Sequence, residues 1–438
     1  MTKPQGLRSN RHVMLFVLTL VFMSSYLDRQ IVAVLLPQIK SEFSLSDSEL
    51  GLLSGFAFAL FYVTAGLPIA RIADKSSRVN VLAICVAAWS ACTAACAAAT
   101  NFVGLLLARI GVGVGEAGCN PSAASLIAEH YPLESRATAN AFYSVAVPVA
   151  SLIALAGGGL VAEHMGWRTA FILVGAPGLL LAIAVKLLIA DSPQPQATPN
   201  SAQLNFGDCL AYFARTPSAA FMAFAAAAES FAGFGIMMWL PTYFMRAYNY
   251  SIAEIGLMLG IATGALGFVG ILTAGFVADR LGRMNRRWNC LLPASVMTIV
   301  FVFAVAAFAV NSAVLTMALL VIPLFTLGSS AGPINAAVQT VVPARMRATA
   351  AAVFGLILNL IGYGLGPTSI GALSDVFGGA DDTNALKLAL IVVCGGYAIA
   401  AGLYFLASRF LVNDIARAVS FDDASAESGQ PLSAEAPA

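Results

Sequence analysis

The chain has 438 residues, of which 59% are hydrophobic and only 10% charged, with a formal net charge of +1 and a mean hydropathy of +0.84. A soluble domain carries about a quarter charged residues, so a water-facing globular surface is excluded and lipid is the main solvent. The small net charge gives no argument for a nucleic-acid partner, and none is expected.

Basic residues Lys3, Arg8 and Arg11 precede a first apolar run from Val13 to Tyr26. It is not read as a cleaved signal peptide, because the apolar stretch resumes after Arg29 and no small-residue cleavage site follows. Each helical crossing needs about 20 apolar residues. Cutting at charge clusters, prolines and polar links gives twelve spans, at 13–38, 49–71, 79–100, 102–128, 136–162, 168–190, 217–246, 252–278, 288–310, 313–341, 347–373 and 385–410. The expected fold is therefore an all-α membrane protein of two sets of six spans. Its expected divisions are 1–190 for the first bundle, a polar cytoplasmic linker at 191–216, 217–412 for the second bundle and a disordered tail at 413–438.

The halves echo one another. "ARIADKSSRVN" follows the second span of the first half and "AGFVADRLGRM" the second span of the other; "ESRATANAF" precedes span 5 and "RMRATAAAV" precedes span 11. One six-span unit is used twice. Seventeen Lys and Arg residues, excluding Arg29 and Arg109, fall on the side of the termini and the linker, and only Lys40, Arg168, Arg246 and Lys387 on the other. The positive-inside rule places both termini in the cytoplasm, in an inner or plasma membrane.

Span 1 carries Asp28 and Arg29 side by side, where a charge costs about 2.5–3.5 kcal/mol even on lenient scales. At 1.5 Å per residue, Asp28 on the outgoing span 1 and Arg109 on the incoming span 4 lie at similar depth. Their pairing is geometrically reasonable. Glu116 follows Arg109 by two turns on nearly the same face. The four groups could merely neutralise one another as a staple between helices. Buried ion pairs rarely stabilise better than apolar packing, however, and deep charges in a bundle usually serve function. Asp28 and Glu116 are therefore expected to couple protons, with Arg109 tuning them and Arg29 and Arg109 meeting an anionic headgroup.

The second half offers Glu229 on span 7, near Phe221, Phe224, Phe231, Phe234, Trp239 and Tyr243, and neutral polar groups Asn335, Gln339, Asn359 and Tyr363 on spans 10 and 11. Glu229, Phe231 and these four are candidate substrate contacts. One charged and one aromatic wall suit an amphipathic ligand, although the aromatics equally suit packing against lipid or neighbouring helices.

At cytoplasmic helix ends, Asp74, Lys75, Arg78 and Arg136 in the first half and Asp279, Arg280, Gly282, Arg283 and Arg347 in the second are candidates for a gate. Gly282 permits a tight turn. Positive-inside charge is the ordinary alternative, but the two acids oppose that signal. The seven cysteines show no C-x-x-C spacing. Cys92 and Cys96 share a helix face, which leaves a ligand pair conceivable beside plain packing. Glycine-rich nucleotide loops, H-E-x-x-H and a catalytic triad are absent. Neither an enzyme, a cofactor nor a metal is expected.

"GFVADRLGRM" resembles the signature loop between spans 2 and 3 of the major facilitator superfamily. The first copy keeps Asp74, Lys75 and Arg78 but has Ala70 and Ser77 where the second has glycines. "GWRTAF" and Arg109 also resemble superfamily positions, and "SYLDRQIVAVLLPQIK" with "ARIGVGVGEAGCNPSAASLIAEHYP" resembles the Spinster branch. The resemblance implies two six-helix bundles that rock about a central cavity lined by spans 1, 4, 7 and 10, with the Asp-containing loops latching the cytoplasmic side. It also implies a lysolipid or sphingoid-phosphate type of cargo. The expected function is a monomeric, proton-coupled secondary transporter of an amphipathic, anionic, lipid-like substrate. The alternatives are a proton-coupled carrier of a small hydrophilic organic anion or drug, and a non-transporting membrane sensor.

Overall fold

The computed structural model describes residues 10–190, 206–343, 346–378 and 382–428. The first part of the linker (191–205) and the last part of the tail (429–438) lie outside the described residues. All regular elements among the described residues are helical. Ten segments are long and apolar enough to cross a membrane; one of them, Thr138–Leu188, contains two expected spans, and the shorter Ala313–Phe325 opens span 10.

Contacts divide the chain into two units. Unit 1 is Met1–Gln194 with Met237–Phe268 and Pro367–Ala389. Its helices are α1 (Arg11–Phe43), α2 (Asp47–Gly51), α3 (Ala57–Lys75), α4 (Arg78–Cys96), α5 (Phe102–Glu116), α6 (Cys119–His130), α7 (Leu133–Ser144), α8 (Ala146–Leu152) and α9 (Gly158–Leu188). The end of α11 (Pro217–Tyr248), α12 (Ile252–Ile261), most of α18 (Gly366–Phe377) and the start of α19 (Thr383–Ser428) join it. Spans 5 and 6 are parted at Gly166, whose φ of 82° breaks α9; glycine takes that conformation without steric cost.

The unit boundary differs from the expected 1–190 and 217–412 because small residues zip segments of the second half onto the first. A Cβ at Gly256 would lie 2.3 Å from Leu155 O, and one at Gly159 would lie 2.8 Å from Ile252 O. Spans 5 and 8 therefore approach backbone to backbone, as small residues allow. Spans 2 and 11 do the same: Thr368 Oγ1 donates to Gly51 O at 3.0 Å and accepts from Phe56 N at 3.1 Å. Widened π-helical turns interrupt these four spans at Leu52–Phe56, Ile153–Gly157, Ala262–Leu266 and Leu358–Leu365. They recur at equivalent places in the two halves, as do the capping boxes at Ser46/Glu49 and Ser251/Glu254 that start spans 2 and 8. In each, the serine hydroxyl accepts from the third residue's N–H while the glutamate reaches back.

Unit 2 is Pro195–Ile236 with Val269–Gly366 and Leu390–Ala438. It holds α10 (Phe206–Arg215), the first part of α11, most of α13 (Gly267–Met284), α14 (Trp288–Ala309), α15 (Ala313–Phe325), α16 (Ala331–Thr340), α17 (Arg347–Ile357) and the rest of α19. Span 10 is not one helix: it breaks between α15 and α16, where Gly328 has a φ of 76°. Two expectations are corrected here. The linker is helical over Phe206–Arg215, burying Tyr212 and Phe213, with Tyr212 Oη donating to Val341 O at 3.2 Å. The tail is not disordered from 413, because α19 runs on to Ser428. Asp414 explains the extension: its buried carboxylate accepts from Ser218 N at 2.9 Å and Ser218 Oγ at 2.5 Å. A carboxylate at the start of α11 also meets the positive end of that helix's dipole.

Candidate functional site

The charged cluster of unit 1 is built from α1, α4 and α5. Arg109 Nη1 donates to Asp28 Oδ1 at 3.0 Å, and Thr93 Oγ1 donates to the other carboxylate oxygen. Asp28 and Arg109 are both buried and form the pair that the residue count made reasonable. This arrangement does not present Arg109 as a substrate contact. With 2% of its side chain exposed, Arg109 is shut behind the pair it makes.

Glu116 takes a different partner. Its Oε2 accepts from Arg29 Nε at 2.7 Å and from Ser25 Oγ at 2.8 Å. Oε1 is buried with no hydrogen-bond partner. The helix register explains the arrangement. Because α1 and α5 run in opposite directions, Ser25, which precedes Asp28, and Glu116, which follows Arg109, lie on the same side of the Asp28–Arg109 pair, and the side chains close the remaining gap.

Arg29 keeps 14% of its side chain exposed. Its guanidinium lies over the rings of Phe58 and Tyr62 at 4.9 and 4.7 Å, the usual cation–π distance. Tyr62 Oη accepts from Asn120 Nδ2 at 3.4 Å, Asn120 Oδ1 accepts from Tyr143 Oη at 3.3 Å, and Tyr143 stacks on Phe22 at 4.5 Å. The wall carrying the charges is thus aromatic as well, which the division into one charged and one aromatic wall did not foresee. Cys92 abuts Gly111, whose Cβ would lie 2.6 Å from the sulfur, and Cys85 abuts Gly118 in the same way; these thiols fill helix crossings.

In unit 2, Glu229 on α11 accepts from Tyr404 Oη at 2.8 Å and from Ser330 Oγ. No cation pairs with it among the described residues. Nearby on α11, Phe231 lines an apolar cavity of about 380 Å³ with Phe224, Val392 and Ile399. Tyr363 packs against Phe234, while Asn359 Nδ2 turns back to Gly355 O at 2.6 Å. Asn335 is exposed and donates to Ala331 O at 2.8 Å; Gln339 is exposed on the same helix. Trp239 and Tyr243 are buried, with Trp239 Nε1 donating to Pro367 O at 3.0 Å. They pack in the interior of unit 1.

The gate candidates divide. Arg78 pairs with Glu129, and Arg136 Nη2 donates to Ala128 O at 2.7 Å at the carboxyl end of α6, where a cation suits the dipole. Asp74 and Lys75 end α3, but their side chains lie outside the described residues. Asp279, Arg280 and Arg283 on α13 and Arg347 on α17 are exposed, with no ion pair among the described residues. Gly282 packs against Asn289, whose Oδ1 would be 2.7 Å from a Cβ there.

Five residues that sequence reasoning did not single out as site residues form a further charged cluster of unit 1. Asp47 is wholly buried, and Oδ1 accepts from Lys40 Nζ at 2.8 Å and Arg246 Nη2 at 2.7 Å. Its Oδ2 accepts from Arg246 Nη1 and Ser374 Oγ, both at 2.8 Å. Asp375 accepts from the backbone N–H groups of Asp47 and Ser48 at 3.1 and 2.7 Å. Only the capping box around Asp47 is legible locally; Arg246 and Ser374, 199 and 327 residues away, leave no local trace.

Comparison with known proteins adds the following. The sequence model of the Major Facilitator Superfamily matches residues 18–367. An MFS-type efflux pump of Mycolicibacterium smegmatis is 34% identical over 403 residues, 91% of this chain and 93% of that protein. A sphingosine-1-phosphate transporter of Mus musculus is 27% identical, over 92% of this chain and 78% of its own length. Among solved structures, a bacterial homologue of the human lysosomal transporter Spinster, inward-facing and unoccupied, superposes with a TM-score of 0.82 at 29% identity, covering 94% of this chain and 99% of the other.

Proposed function

The chain belongs to the major facilitator superfamily, in its Spinster branch, and is an integral membrane transporter and not an enzyme; from that premise we propose that it moves an amphipathic, anionic, lipid-like substrate, a lysophospholipid or sphingoid phosphate, by proton-coupled alternating access. Arg29 carries this reading. It is the partly exposed cation of the buried quartet, and it holds Glu116 at 2.7 Å. An anionic headgroup that draws Arg29 away leaves Glu116 to take a proton, so cargo and proton exchange one partner. Asp28 is the second proton site, tuned by Arg109. Glu229, the cavity beside Phe231, and the polar groups Asn335, Gln339, Asn359 and Tyr363 receive the rest of the substrate, with the tail in the apolar part.

The termini face the cytoplasm of an inner or plasma membrane, the protein acts as a monomer, and the repeats 1–190 and 217–412 are the moving halves. The exposed side chains of Asp279, Arg280, Arg283 and Arg347 are available to join Asp74, Lys75, Arg78 and Arg136 around Gly282 in a cytoplasmic latch in the opposite state.

In proteoliposomes, Arg29→Gln is expected to lower uptake of labelled lysophosphatidate about tenfold or more, equivalent to about 1.4 kcal/mol or more. Uptake of an uncharged monoacylglycerol is expected to change far less. Equal loss for the two lipids, or none for either, contradicts the headgroup assignment.

A further inference from the structure

At the end of unit 1 away from the basic loops, the tips of α1 and α11 frame a cavity of about 590 Å³. Pockets of that size hold small ligands. Its wall includes Lys40, Ser41, Ser44, Thr242 and Arg246. Among the described residues, the charged groups in that wall, Lys40 and Arg246, are both cations. Lys40 and Arg246 keep 10% and 13% of their side chains exposed, whereas Asp47 between them is wholly buried. The cavity therefore presents positive charge while the balancing carboxylate lies behind it. Thr242 also lines this wall, and its Oγ1 is buried without a hydrogen-bond partner. Buried polar atoms in native structures are nearly always paired.

We propose that this cavity is a second anion site of the protein, which binds a phosphate or carboxylate group between Arg246 and Lys40 with Thr242 as a further donor. Asp47 is its resident competitor. Arginine grips a carboxylate and a phosphate with the same two-pronged geometry, and Arg246 now spends both prongs on Asp47. A ligand anion that takes Arg246 leaves Asp47 with Lys40 and Ser374. The tie from α2 to α11 is thereby released. Binding at this mouth and loosening of the contact across it are one event.

The site rests on the transporter reading above, as the outer station of the same path, and the anion is either the headgroup of a lysolipid or a free small anion. Relabelling kinetics separate these cases. The full chain carrying Ser41→Cys, in lipid nanodiscs, is reacted with a membrane-impermeant maleimide, with wild type in parallel to subtract the native cysteines. Oleoyl lysophosphatidate, glycerol 3-phosphate and uncharged monooleoylglycerol are the protecting probes. Protection by lysophosphatidate, alone or with glycerol 3-phosphate, and none by monooleoylglycerol is expected. Protection by glycerol 3-phosphate at the same concentration identifies a free-anion site, and protection by lysophosphatidate alone identifies a lipid headgroup site.

Adding Thr242→Val, which leaves the Asp47–Arg246 pair in place, is expected to weaken protection about fivefold, the worth of one hydrogen bond. Arg246→Gln is expected to remove it. Equal protection by the uncharged lipid, or none by either anion, overturns the site; in a protein that still takes up lysophosphatidate, the transport reading survives that result. Anion protection in a protein that takes up no lysolipid supports the site and overturns the lipid reading instead.

Discussion

Glu116→Gln is expected to reduce uptake driven by an imposed pH gradient to background while exchange of labelled for unlabelled substrate continues. The amide keeps the size of the carboxyl group and can still accept from Ser25 and Arg29, which hold Glu116 Oε2 at 2.8 and 2.7 Å. What it loses is the capacity to bind and release a proton. Oε1 has no partner, so a proton there displaces no existing bond. Exchange needs only the binding and rocking steps, whereas driven uptake needs the proton. Gradient-driven uptake that persists in the variant removes Glu116 from the coupling role.

The second large effect separates coupling from mere stapling. Arg109→Ala leaves Asp28 buried at 1% exposure without its cation, a type of change that costs about 3–5 kcal/mol. The thermal midpoint of the purified protein should fall markedly and transport should vanish. Replacing both partners by apolar groups, Asp28→Leu with Arg109→Met, removes the uncompensated charge, and such swaps are often neutral for stability. The double variant is therefore expected to regain the lost thermal midpoint but not driven transport. Recovery of both would mean that the pair only holds α1 to α5.

Much of the fold could be read from the sequence because lipid imposes a simple rule: backbone groups must be satisfied within each segment, so spans show as long apolar runs. Asp28 and Arg109 were legible as partners for a related reason, since depth along two antiparallel helices follows from counting residues. The partner of Glu116 was not. Face and depth place it near α1, but the choice between Asp28 and Arg29 depends on side-chain reach and on Ser25, set by three-dimensional register. Asp47 and Arg246 were illegible for a stronger reason. Each reads as an ordinary charge at a helix end, and only the backbone approaches at Gly256 and Gly159 and at Thr368 bring such ends together. The tail is intermediate: Leu411, Ile415 and Ala418 have helical spacing after 410, a signal outweighed by the polar composition beyond Ser420.

The measurement that bears most directly on the account is uptake of a labelled lysophospholipid into proteoliposomes of the wild-type protein, with and without an imposed pH gradient. The account predicts uptake that the gradient stimulates and that Arg109→Ala abolishes. Lysophospholipid uptake that ignores the gradient, or no uptake in either condition, would contradict it.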